Sequence, residues 1–109
     1  METIIRKAGR KDSKAIYNLI RELAIFEKEP NSVKISVSDI ENHGFGSKPL
    51  FECIVAEIRN KVVGMALYYP RYSTWRGPTF HLEDLIVSEK YKGKGIGTKL
   101  YSAFIRQSY

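Results

Sequence analysis

The segment Tyr91-Lys92-Gly93-Lys94-Gly95-Ile96-Gly97-Thr98 sets three glycines at alternate positions between an apolar, β-branched run and a stretch of helical periodicity. Glycine allows left-handed backbone and close approach, so this spacing predicts a tight strand-to-helix turn. The same turn lets backbone N–H groups converge where the positive end of a helix favours a phosphate. On the glycines alone, a purely structural turn fits as well as an anion cradle. Two familiar phosphate loops do not fit. A dinucleotide fingerprint starting at Gly93 or Gly95 needs glycine or alanine at position 98 or 100, where Thr98 and Leu100 stand. A mononucleotide loop starting at Gly93 needs glycine, lysine and a hydroxyl residue where the chain has Thr98-Lys99-Leu100.

Charge bears on the same segment. The 109 residues carry a formal +6, which calls for an anionic partner, and Lys90, Lys92, Lys94 and Lys99 crowd the glycines. A nucleic-acid module would explain the sign, but no RNP, KH or helix-turn-helix pattern accompanies it. The length allows one domain, and 43% hydrophobic with 28% charged residues, close to average globular usage, suggests neither disorder nor a membrane span. Neither a nucleic acid nor a membrane is therefore expected as partner. The first residues run straight into an apolar segment with no leader pattern, which reads as cytoplasmic. Cys53 stands alone in a strand-like alternation, so no disulfide or cysteine metal pair can form within the chain, and no metal is expected.

The remaining residues divide cleanly. Residues 3–7 predict a strand, and Asp12 offers an N-cap to a helix with apolar Ala15, Ile16, Leu19, Ile20, Leu23 and Ala24. Ser36 and Asp39 predict a second, short helix ending near Gly44-Phe45-Gly46. Residues 51–58 and 62–69 predict an antiparallel hairpin turning at Arg59-Asn60-Lys61. Residues 70–78, with Pro70, Trp75, Gly77 and Pro78, read as a loop before a strand at 79–87. The order is β-α-α-β-β-β-α, an α/β (α+β) chain with a mostly antiparallel mixed sheet flanked by helices.

Lys92-Gly93-Lys94-Gly95-Ile96-Gly97 resembles the acyl-CoA loop of the GNAT acetyltransferases: Arg or Gln, two variable residues, Gly, one variable residue, then Gly or Ala. Lysine takes the first place, conserving charge without arginine's bidentate geometry. The likeness spans the chain. Ile5-Arg6-Lys7-Ala8 with Asp12, the helix ending Leu19-Ile20-Arg21-Glu22-Leu23-Ala24-Ile25-Phe26-Glu27, Gly44-Phe45-Gly46, Tyr68-Tyr69 before Trp75, and Leu82-Glu83-Asp84-Leu85-Ile86-Val87 resemble the diamine branch, which includes spermidine/spermine and thialysine acetyltransferases.

The resemblance implies acetyl transfer from acetyl-CoA to a primary amine of a small polyamine-like or lysine-like molecule. An amine with a pKa near 10.4 is protonated at neutral pH and needs a base, a role the resemblance gives to Glu83. Phe26, Glu27, Asp84 and Trp75 would join Glu83 in binding the amine. The backbone of Leu85, Ile86 and Val87 would hold the pantetheine arm, and Lys92, Gly93, Lys94, Gly95, Ile96, Gly97 and Thr98 the phosphates. A plain amphipathic helix end explains Phe26 and Glu27 equally well, and a hairpin anchor explains Trp75. His43 and His81 read as structural or solvent-facing. Regular strand alternation puts Glu83, Leu85 and Val87 on one face and Leu82, Asp84 and Ile86 on the other, so the two carboxylates should not serve one side equally.

Complete family chains continue with a further strand, a helix bearing an Asn-x-x-(Ala/Ser)-x-x-x-Tyr-like segment, and closing strands. The domain at 1–109 is therefore expected to be C-terminally incomplete. Tyr91, Tyr101 and Tyr109 occupy no matching motif and receive no role. The strand at 79–87 is expected to be partly unpaired and the first helix partly uncovered, which invites pairing with another chain, and a homodimer is expected. A catalytically inactive CoA-binding or oligomerising fragment is the alternative to a working enzyme.

Overall fold

A near-continuous apolar run is buried on both faces only when helices cover both, as at residues 53–56 and 63–68. In the computed structural model, which describes residues 2–108, β1 (Ile4–Lys7), β2 (Glu52–Ile58), β3 (Lys61–Ser73) and β4 (Gly77–Val87) form one sheet in sequence order. Every strand pair is antiparallel. Helices α1 (Ser13–Phe26) and α2 (Val37–Phe45) precede β2, and α3 (Ile96–Ser108) follows β4. Tyr109, one of the tyrosines left without a role, lies outside the described residues, as does Met1.

Two apolar layers result. Ile16, Leu19 and Ile40 from the first two helices bury Val55, Met65, Leu67 and Ile86. On the other face Ile96, Leu100, Ala103 and Phe104 cover Ile54, Ala56, Ala66 and Tyr68. The fully buried Tyr68 ring meets Phe80 and Phe104 edge-on at 5.5 and 5.0 Å, each contact adding about 0.5–1.5 kcal/mol beyond burial. Cys53 is buried in the first layer, and burial pushes its thiol well above the ordinary range.

The helix starts divide by mechanism. At α2 the Ser36 hydroxyl accepts from Asp39 N–H at 3.1 Å while the Asp39 carboxylate accepts from Ser36 N–H at 2.9 Å, as the spacing predicts. At α1 Asp12 stands at the N-cap as expected but makes no side-chain bond into the helix. Its carboxylate turns back, accepting from Gly9 N–H and from the Arg6 guanidinium, because a partly buried cation on β1 outcompetes the helix N–H groups.

Two loops differ from their sequence reading in opposite ways. The β2–β3 turn is tight as expected, with Arg59 at φ 53 and Asn60 at φ 64, both left-handed as a two-residue hairpin requires. Residues 70–78 are mostly strand rather than loop: Pro70, Arg71, Tyr72 and Ser73 pair with Phe80, Thr79, Pro78 and Gly77. Beyond Tyr68 there is no partner from β2, so β3 and β4 continue as a two-stranded ribbon. A ribbon leaves one side of each strand free, and there a proline's missing N–H costs nothing. Its tip closes where Ser73 Oγ accepts from Trp75 and Arg76 N–H, and Gly77 takes φ 81.

Candidate active site

One extra residue in β4 decides where the carboxylates go. Leu67 pairs with Asp84 but the next residue, Tyr68, pairs with Leu82, so Glu83 has no partner and forms a bulge. Phe80 and Leu82 pack beneath α3, whereas Ile86 packs beneath α1. The alternation reverses at Glu83, which corrects the expectation that Leu82, Asp84 and Ile86 share a face. Glu83 and Asp84 line a single groove of about 300 Å³, walled by Ile20, Ile40, Phe51 and Leu67 with His43 at its side.

The groove is strongly anionic at one end. Asp84 is half-buried; burial pushes its carboxyl above the ordinary range, and the charges of Glu83 and Glu27 push it further. Glu83 is exposed. Among the described residues neither carboxylate has a Lys, Arg or His within salt-bridge distance. Glu27 follows the last residue of α1, where Lys28 stops the helix in a left-handed conformation at φ 61.

The remaining amine-site candidates are dispersed. Phe26 is 66% exposed and, with Leu23, Leu85, Ile86 and Val87, lines a narrower cleft of about 80 Å³ rather than the carboxylate groove. The Lys92 ammonium sits 4.7 Å above its ring. Trp75 is 94% exposed at the ribbon tip, beyond Gly77, which is itself roughly 20 Å along β4 from Glu83, and the fold does not bring it to the groove. His81 lies on the ribbon, with Nδ1 3.3 Å from the Arg71 guanidinium and its ring against Tyr69.

The outer edge of β4 has no strand partner among the described residues. Ser88 N–H bonds to Val63 C=O on β3 at 2.8 Å. Because backbone direction alternates along a strand, the polar groups of Ile86 also turn inward and those of Leu85 and Val87 turn outward. Of the three residues expected along the pantetheine arm, Leu85 and Val87 therefore present free backbone groups.

The glycine turn follows. Gly93 at φ 80 and Gly95 at φ 78 are left-handed, and a Cβ on either would meet nothing within 4 Å. Backbone conformation, not crowding, requires glycine there. The first helical bond of α3 runs from Lys99 N–H to Gly95 C=O at 3.2 Å. The N–H groups of Ile96, Gly97 and Thr98 precede it and have no intrahelical acceptor. The buried Ile96 side chain fixes this helix start, while Lys92, Lys94 and Thr98 are exposed around it. Leu85, Val87, Tyr91, Lys92, Gly95 and Gly97 line a groove of about 350 Å³. Unpaired N–H groups, Lys92 and an open strand edge along one groove suit the diphosphate and amide-bearing arm of a CoA thioester.

Sequence reasoning gave Glu22 no role of its own. It lies on the flank of α1 one helical turn before Phe26, and its carboxylate accepts from Ser88 Oγ and Glu89 N–H. The usable signal was an acidic residue flanking an otherwise apolar stripe. Its partners, 66 and 67 positions away, were not legible.

The sequence pattern of the acetyltransferase (GNAT) family matches residues 14–108. The chain is 47% identical over 106 residues to thialysine N-epsilon-acetyltransferase of Mus musculus, covering 90% of this chain and 62% of that protein. It is 37% identical over 103 residues to spermidine/spermine N(1)-acetyltransferase-like protein 1 of Homo sapiens, covering 88% of this chain and 15% of the other. An aminoglycoside N-acetyltransferase solved in complex with CoA superposes with a TM-score of 0.73 at 17% identity, over 97% of this chain and 68% of that one. The chain thus spans less than two thirds of the length of these two relatives.

Proposed function

This chain belongs to the acetyltransferase (GNAT) family, and from that premise we propose that it transfers an acetyl group from acetyl-CoA to a primary amine of a small lysine-like or polyamine-like molecule. The observation that carries the proposal is the bulge at Glu83, which turns two carboxylates without counter-cations into one groove beside the open edge of β4. A cationic amine is drawn to such a site, and the apolar walls accept its methylene chain. The names of the two relatives, one acting on thialysine and one likened to spermidine/spermine enzymes, support an amine of this kind.

Acetyl-CoA would supply a thioester whose carbonyl carbon forms the new C–N bond while the C–S bond breaks, the sulfur leaving as a thiolate that takes up the second proton shed by the acetylated nitrogen. Glu83, exposed at the mouth of the groove, takes the proton that frees the amine lone pair, directly or through one water. Asp84 and Glu27 add negative potential that holds the ammonium. The outward N–H of Leu85 or Val87 orients the arm and polarises the carbonyl. The N–H groups of residues 96–98, with Lys92 and Lys94, take the diphosphate.

The test is calorimetric titration of the 109-residue chain with acetyl-CoA, followed by thiol release in the presence of thialysine and of spermidine. Binding with turnover is the expected result. Binding without turnover supports a CoA-holding fragment instead, and no binding by a folded sample overturns both readings.

A further inference from the structure

We infer that Glu22 is a positioning residue for the cofactor loop, fixing from α1 the point where β4 ends and the glycine turn begins. Its Oε1 accepts from Ser88 Oγ at 3.1 Å and its Oε2 from Glu89 N–H at 2.8 Å. Ser88 and Glu89 open the 3-10 turn Glu89–Tyr91, which leads directly into residues 92–97. This turn lacks a cap of its own: Ser88 makes no side-chain bond into it, and its hydroxyl is directed to Glu22. The carboxylate on α1 therefore does what a capping side chain does elsewhere, across a long sequence separation.

The segment it holds is otherwise weakly anchored. Residues 89, 90 and 92–95 are exposed, and Tyr91 is only partly buried. Segments with few buried contacts open first, so two bonds to a charged acceptor make up much of what restrains this one. The same helix meets the loop again one turn later, where Lys92 stands over Phe26; within the loop Lys92 also pairs with Glu89 at 3.1 Å. Helix α1 ends at Phe26 and is followed by Glu27, whose charge acts on Asp84. The helix that ends beside the amine groove is thus the one that registers the phosphate loop. The inference rests on the reading that residues 92–98 take the CoA diphosphate; in that reading Glu22 touches no reacting atom and acts through the loop.

The experiment compares the 109-residue chain with Glu22→Ala and Glu22→Gln by amide hydrogen exchange and by calorimetric titration with CoA. Loss of two charge-assisted bonds in Glu22→Ala is expected to speed exchange at residues 89–95 and to weaken CoA binding, each about tenfold or more. Exchange in β2 and β3 stays as in the wild type, and any loss of turnover appears in KM for acetyl-CoA rather than in kcat. Glu22→Gln restores most of the loop protection, since its amide oxygen accepts from Glu89 N–H and its NH₂ donates to Ser88 Oγ. Unchanged loop exchange or CoA affinity in Glu22→Ala overturns the inference. So does faster exchange spread evenly over the sheet, or a glutamine variant no better than alanine. A wild-type chain that binds no CoA removes the underlying reading, and the inference with it, whatever the exchange data show.

Discussion

Glu83 and Asp84 line one groove, and the Glu83 charge, second to burial, pushes the Asp84 carboxyl above its ordinary range. A carboxyl whose folded-state pKa is raised binds its proton more tightly in the native state than in the unfolded one. Its contribution to stability therefore falls as pH rises from the ordinary value near 3.8 through the raised folded value. Asp84→Asn removes that penalty. The variant should be more stable than wild type at pH 7, by about 0.5–1 kcal/mol, with the difference closing towards pH 4. Thermal melts at the two pH values check this, and an Asp84→Asn chain less stable at pH 7 would show that the carboxylate is held by contacts rather than tolerated.

Glu83→Gln keeps the size and the bulge but cannot take a proton. Acetyl transfer to thialysine or spermidine should fall about 10²- to 10⁴-fold, the usual worth of a positioned base. Acetyl-CoA affinity should stay within about twofold, because the phosphate loop and β4 edge are untouched. Pairing steady-state rates with CoA titration separates the two effects, and equal loss in both would assign Glu83 to folding instead of proton transfer.

The layers and the loop were legible from the residues alone because they rest on local rules. The helical stripe of α1, the Ser36–Asp39 box and the alternate glycines each act within a few residues. The placement of the site was not, because it depends on counting residues across strands. An alternation argument assumes one partner per residue, and the bulge at Glu83 breaks that count. The same limit hid the ribbon: Pro70 and Pro78 signal a loop unless it is known that β2 stops pairing at Tyr68. Asp12 was placed correctly at the N-cap of α1, but its side-chain partner was not foreseen, since Arg6 sits on a strand and not in the following helix.

The loop glycines are predicted to differ in tolerance. Gly95→Ala forces a left-handed alanine at a cost of about 1–2 kcal/mol and projects a methyl group into the groove. CoA affinity should drop about tenfold or more. At Gly97 an added Cβ meets only Val87 Cγ2 at 3.8 Å, an ordinary contact. Gly97→Ala should bind CoA within about threefold of wild type, in keeping with the glycine or alanine expected at that place. Isothermal titration of both variants decides it, and equal losses would mean that the groove, not the backbone, governs the loop.

Acid sensitivity should concentrate at the β1–α1 corner. Asp12 accepts from Arg6 Nη1 at 2.9 Å, Arg6 Nη2 at 3.0 Å and Gly9 N–H at 2.8 Å, and Arg6 also pairs with Glu57 at 2.9 Å. The Arg6 hydrogen bonds, more than the Gly9 bond, hold the Asp12 carboxyl below its ordinary value of 3.8 despite burial. For an acid with a depressed folded pKa, the stabilisation is complete above the unfolded value and is lost as pH falls through the folded one. Asp12→Asn should therefore cost about 1.5–3 kcal/mol at pH 7, since it leaves a partly buried guanidinium with Glu57 as its remaining carboxylate. Below pH 3.8 the wild type progressively loses the same stabilisation, and the gap between the two proteins narrows. Urea denaturation at pH 7 and pH 3 measures the gap directly. A gap that stays constant across that range would place the cost of Asp12→Asn in lost packing at the corner, not in the charge it shares with Arg6.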